Sequence, residues 1–199
     1  MDKATVIRLQ KAIGATVDGS IGEGTLTAVF RKCGASAKRA SLLGRAANVY
    51  LNQFGILDHP LIFAHFLAQA CHETGYFKWL EETASGEAYN GRIDLGNTSP
   101  GDGPRFKGRG VFMITGRSNY ILYSKRTGIE LESRPERASE EDISIIIACH
   151  YWKNKGLSDL ALADNVDKIT YKINGGYVGF EERKAALVKI KSWLGITVA

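Results

Sequence analysis

Glu73 and Glu82 stand nine residues apart, with Glu81 beside the second and Gly75 between. Two carboxyls that face each other across a gap can do acid–base work, one protonating a leaving group while the other activates water. On one straight helix this offset sets them on opposite faces, so the chain must turn between them, and Gly75 is where it can. Glu81 and Glu82 are neighbours, so an extended segment aims only one of them into the gap. Carboxyls roughly 6.5–9.5 Å apart, with a water between, form the arrangement that cleaves a glycosidic bond with inversion.

Glu73 closes the stretch FAHFLAQACHE, which is apolar on nearly every side except at His65, Gln69, His72 and Glu73. These four share one face of a helix. A helix apolar all round is buried, so a single polar stripe on it lines a cleft or satisfies an internal hydrogen-bond network. We expect it to form one wall of a groove. Glu73 falls in the helix's last turn, where the dipole and apolar neighbours both disfavour ionisation, as a general acid requires. No metal is expected: HETGY begins like the zinc motif HExxH, but Tyr76 stands where the second histidine is needed. Cys71 and His72 diverge on a helix, so no thiol nucleophile is expected, and Cys71 reads as a buried structural thiol. The run GDGPRFKGRG lacks the lysine–hydroxyl ending of a phosphate loop. It reads as a groove edge where Arg105, Lys107 and Arg109 position acids or substrate.

The elements that must position these groups are mainly helical. With 199 residues, 44% hydrophobic and 24% charged, the chain can bury one good core plus a small appendage. Two short helices around a glycine-rich link occupy residues 1–36. A helical block runs from Ala37 to Gly75, with Asp58 as a cap and Pro60 in the first turn. Ala84 to Pro104 reads as an irregular lobe, followed by a β-like run GVFMIT. Helices then resume, one of them starting near Ser139 through a Ser139–Asp142 capping box. The class is mainly α with a small irregular or β-containing lobe. Cys33, Cys71 and Cys149 form no disulfide framework. The N-terminus carries no signal-peptide pattern and no run is long enough to span a bilayer, so a cytoplasmic product is expected. A net charge of +5 suits a polyanion such as nucleic acid, an anionic membrane surface or an acidic wall polymer. The basic closing helix could touch a membrane, though packing on the core explains its apolar face equally well.

Four segments, FLAQACHETGYF, EETASGEAYNGRIDLGN, PGDGPRFKGRGVFMITGRSNY and KINGGYVGFEERKAAL, together resemble the family 19 glycoside hydrolases, in particular the branch of phage and prophage endolysins. The resemblance covers roughly Leu42 to Leu194. It implies a lysozyme-like, two-lobed α-rich fold around a groove. It also implies Glu73 as general acid, Glu82 as base and Thr115 as the hydroxyl that helps hold the attacking water; the sequence itself leaves Glu81 and Glu87 open as bases in place of Glu82. Asn119 and Tyr120 fall at sugar-contacting positions, Asn174 lines the groove, and Arg183 belongs to a supporting ion network. His72, Tyr89 and Arg109 join them as expected substrate contacts. One departure is Met113, which stands where the family usually has glutamine.

The resemblance divides the chain into a small segment, residues 1–36, similar to half of a peptidoglycan-binding repeat, and a catalytic domain, residues 37–199. It implies an enzyme that cuts the β-1,4 bonds of peptidoglycan glycan strands, inverting, to lyse a host cell. No metal or organic cofactor, nucleic acid or stable membrane insertion is expected. A monomer that depends on a holin to reach the wall is. The alternatives are a chitinase and a non-catalytic wall-binding protein.

Overall fold

The computed structural model describes residues 1–197; the last two residues of the expected 37–199 domain lie outside them. Ten helices follow one another: α1 (Lys3–Ile13), α2 (Glu23–Cys33), α3 (Ala37–Gln53), α4 (Pro60–Glu73), α5 (Asp102–Arg105), α6 (Arg117–Thr127), α7 (Glu141–Asn154), α8 (Leu157–Leu162), α9 (Val166–Asn174) and α10 (Phe180–Leu194). The class is mainly α, as expected. Flanking the irregular lobe, among the described residues, are only two isolated bridges, Glu81 with Arg109 and Arg109 with Ile114. The GVFMIT run is therefore a turn rather than a strand.

Helix α4 is the axis of the molecule. Every residue from Ile62 to Cys71 is buried, because α10 and α8 pack along it and a helix apolar on nearly every side gains most from complete enclosure. Its start differs from the expected one. His59, not Asp58, is the cap, accepting the Leu61 N–H on Nδ1 at 3.2 Å, and Pro60 occupies the first turn. The capping box expected at Ser139 does not form either. Ser139 donates to Glu136 O at 2.6 Å within a short 3-10 turn, and α7 begins at Glu141.

The first 36 residues share this core. Leu9, Leu26 and Phe30 belong to the same cluster as Phe63 and Phe66, with α2 lying on α3 and α1 on α10. Fully buried Gln10 organises the glycine-rich link. Its amide nitrogen lies 2.7 Å from Asp18 Oδ1 and 3.0 Å from Thr25 Oγ1, and its Oε1 accepts the Gly19 N–H at 2.9 Å.

Beyond Glu73 the chain makes an unusual turn. Gly75, Tyr76 and Phe77 all have left-handed backbones, with φ of 54°, 61° and 60°. Glycine adopts this freely, but Tyr76 and Phe77 each give up about 1–2 kcal/mol. The Thr74 hydroxyl helps compensate: it donates to Ala70 O at 2.6 Å and accepts the Phe77 N–H at 2.8 Å. The turn sends the chain back so that Glu82 N–H reaches Gly108 O at 2.9 Å.

Candidate active site

A cleft of ≈ 700 Å³ opens between α4, α7, α9 and the irregular lobe. Glu73, Glu82, Tyr89, Thr115, Asn119 and Asn174 all line it. The last turn of α4 supplies Glu73, the C-terminal residue of α9 supplies Asn174, and the lobe supplies Glu82 and Thr115.

The polar stripe of α4 resolves differently from expectation. Only Glu73 reaches the cleft. His65 is fully buried, with Nε2 2.8 Å from Asp164 Oδ1. Gln69, also buried, donates to Thr170 Oγ1 at 3.3 Å and accepts from Arg183 Nη1 at 2.5 Å. His72 is not among the residues lining the cleft; its ring lies against Gly179, where a Cβ would overlap it. Burial, with the nearby Arg183 charge, lowers the affinity of His72 for a proton. The stripe is thus an internal network between α4 and the last helices, and it ends at the cleft.

Arg183 joins the network to the acid. It is 1% exposed and donates through Nη2 to Glu73 Oε1 at 2.6 Å. The surroundings of Glu73 therefore include a buried guanidinium, not only the apolar neighbours expected. Arg183 fixes one carboxyl oxygen, while Oε2 accepts no hydrogen bond among the described residues.

Across the cleft, the two adjacent acids part company. Glu81 pairs with Arg109 Nη2 and Lys107 Nζ, each at 3.1 Å. Burial raises its pKa, but Lys107 and Arg109 more than offset that and hold the carboxyl below its usual range. Glu82 takes the other side. Its Oε2 accepts from Tyr89 OH at 3.0 Å, and its Oε1 is buried without a protein donor. Oε1 is closed to the cleft, so a water there meets Glu82 through Oε2, which lies with Thr115 in the pocket beside Gly108. Burial, with the hydrogen bond to Glu82, raises the Tyr89 pKa. Glu87 makes a local contact instead, accepting from Asn90 Nδ2 at 2.5 Å.

Gly108 lets Glu82 and Thr115 share one pocket. A Cβ at 108 would stand 3.2 Å from Glu82 Oε2 and 3.3 Å from Thr115 Oγ1. Thr115 donates its one hydroxyl proton to Met113 O at 2.9 Å, so toward a water it can only accept. Met113 itself has φ of 45° and lines the cleft. A water that donates one proton to Glu82 and the other to Thr115 keeps a lone pair free for attack.

Arg109 and Tyr120 are corrections. Both are buried and neither lines the cleft. Arg109 donates to Arg105 O and Tyr120 OH, and Tyr120 OH donates to Lys107 O at 2.6 Å. They brace the backbone beneath the acids. Asn119 lies in the cleft with its amide donating to Thr115 O at 2.7 Å. Sequence reading missed Phe112, Tyr151 and Lys155, which also line the cleft. Tyr151 on α7 and Lys155 just past its end carried no signal, since nothing local shows which helix adds to the cleft wall.

Among known proteins, a Haemophilus influenzae chain described as a glycosyl hydrolase family 19 domain-containing protein is 32% identical over 151 residues, spanning 60% of this chain and 74% of that one. No family model matches. Of solved structures, a family GH19 class IV chitinase from Zea mays superposes with a TM-score of 0.64 at 20% identity, covering 77% of this chain and 82% of that one. A bacterial family 19 chitinase gives 0.60 at 14% identity over 96% of both chains. Chitinase C from Streptomyces griseus gives 0.58 at 13% identity, over 97% of this chain and 78% of that one.

Proposed function

This chain belongs to glycosyl hydrolase family 19, and from that premise we propose that it is an endolysin hydrolysing the β-1,4 bonds of peptidoglycan with inversion. The observation that carries the reading is the pair of carboxyls lining one cleft, Glu73 from the end of α4 and Glu82 from the segment after the turn, with Thr115 beside the second. Glu73 protonates the leaving oxygen from Oε2, the oxygen that Arg183 leaves open. Glu82 takes a proton from the water, which Thr115 holds as a second acceptor. Inversion follows, because the water attacks from the face opposite the leaving group. Tyr89 steadies Glu82, while Asn119 and Asn174 line the path of the glycan.

Charge favours an anionic glycan over a neutral one. The net charge is +5 and Lys155 lies in the cleft, so lactyl and peptide carboxylates are attracted. The enzyme acts as a monomer and reaches the wall from the host cytoplasm when a holin opens the membrane. No described helix is long and apolar enough to cross a membrane by itself. The second reading is a chitinase, the activity named for the similar solved structures.

Mass spectrometry of borohydride-reduced products from purified sacculi separates these readings. Reduced muramic ends, absent with Glu73→Gln, are expected. Reduced glucosamine ends would move the cut to the alternate bond. Hydrolysis of chitin oligomers with no release from sacculi would favour the chitinase. Binding to sacculi without release by the wild type would leave a wall-binding protein.

A further inference from the structure

The nine-residue path from Glu73 to Glu82 runs through the left-handed turn at Gly75, Tyr76 and Phe77, and that turn is held from outside itself. Phe77 is 1% exposed, and its ring meets Phe30 of α2 edge-on, centroids 4.9 Å apart at 84°. Gly34, just past α2, presses on the same turn; a Cβ there would stand 3.1 Å from Tyr76 O. On the other side, Arg39 of α3 donates to Phe77 O at 3.1 Å and Lys78 O at 2.5 Å, and is itself anchored to Glu141 of α7 at 3.2 Å. Non-glycine residues keep such a backbone only where their surroundings over-determine it.

We propose that Phe30 and Gly34 are positioning residues, through which the N-terminal segment clamps the turn and so fixes the two carboxyls against each other. Residues 1–36 then serve catalysis on any glycan, whether or not they touch the wall. The inference rests on the assignment of Glu73 and Glu82 as acid and base. Its logic is mechanical. A relaxed turn leaves each carboxyl intact but shifts one relative to the other, and misplacement of about 1 Å is enough to lower turnover about a hundredfold.

The test uses the full chain and soluble glycan strands stripped of peptide, on which attachment to insoluble wall has no influence. Phe30→Leu is compared with Leu9→Ala, which opens the same core from α1, a helix that packs on α10 and α2. We expect Phe30→Leu to lose about tenfold to a hundredfold in kcat with KM within about twofold. Leu9→Ala should keep kcat while its melting temperature falls. Phe30→Met, a milder change, is read in the same way if Phe30→Leu does not fold. Wild-type kcat in a folded Phe30 variant overturns the proposal. So does loss of kcat that merely follows lost melting temperature in both Phe30→Leu and Leu9→Ala. A wild type inert on every glycan overturns the hydrolytic assignment itself, and the clamp's catalytic role with it.

Discussion

At the residue scale, Gly108 tests the pocket of the base with both acids left chemically intact. Its backbone is in no glycine-only region, so alanine is tolerated there; what changes is the space beside Glu82 and Thr115, 3.2 and 3.3 Å from the added carbon. Gly108→Ala is expected to lower kcat about tenfold to a hundredfold by displacing the water's two acceptors, with a melting temperature close to wild type. Unchanged kcat would mean the water sits elsewhere. The choice between Glu81 and Glu82 is also a residue-scale matter. Sequence showed that only one of them could face the gap, and the answer depended on Lys107 and Arg109, 26 and 28 positions beyond Glu81. A pairing across that span leaves no local trace.

At the element scale, the turn after Glu73 was half legible. Gly75 marked where α4 ends, but the intrinsic preferences of Tyr76 and Phe77 argue against a left-handed backbone, and only tertiary packing overrides them. The caps at Asp58 and Ser139 misled for a related reason: His59 and a 3-10 turn took their places. The α4 stripe was read with the right spacing and the wrong environment, because periodicity shows a shared face and not what that face meets. The lobe's own anchor gives a pH prediction. Asp102 is 2% exposed and accepts two bonds from Arg117, and these hold its pKa below the ordinary 3.8 despite burial. A depressed carboxyl stabilises the fold above the unfolded value, and that contribution is lost as pH falls through the folded one. Asp102→Asn should therefore cost about 1.5–3 kcal/mol at neutral pH and flatten the loss of stability below about pH 4. An unaltered acid limb in denaturation curves would count against it.

For the whole molecule, the helical class and the site of the carboxyls were readable from composition, periodicity and four segments of resemblance. That residues 1–36 must lean on the rest followed from their length, as their share in the common core shows; which elements they lean on did not, because a short amphipathic pair carries no mark of its neighbour. The basic charge belongs to this scale. If it serves an anionic wall, raising salt from about 0.05 to 0.5 M should weaken activity on sacculi while leaving neutral chitin oligomers nearly unaffected. Equal salt dependence on both would remove charge as a source of preference.

Everything proposed for the cleft depends on Glu73 and Glu82 acting as acid and base across a water. The measurement that meets it most directly is proton NMR of the first sugar anomer released from a soluble β-1,4-linked oligomer. The α-anomer is expected to appear first and then to mutarotate, with no turnover in Glu82→Gln. A β-anomer as the first product would contradict it, since retention requires two successive displacements at the anomeric carbon, through an enzyme-bound or acetamido-derived intermediate, and not one attack by a water held between Glu82 and Thr115.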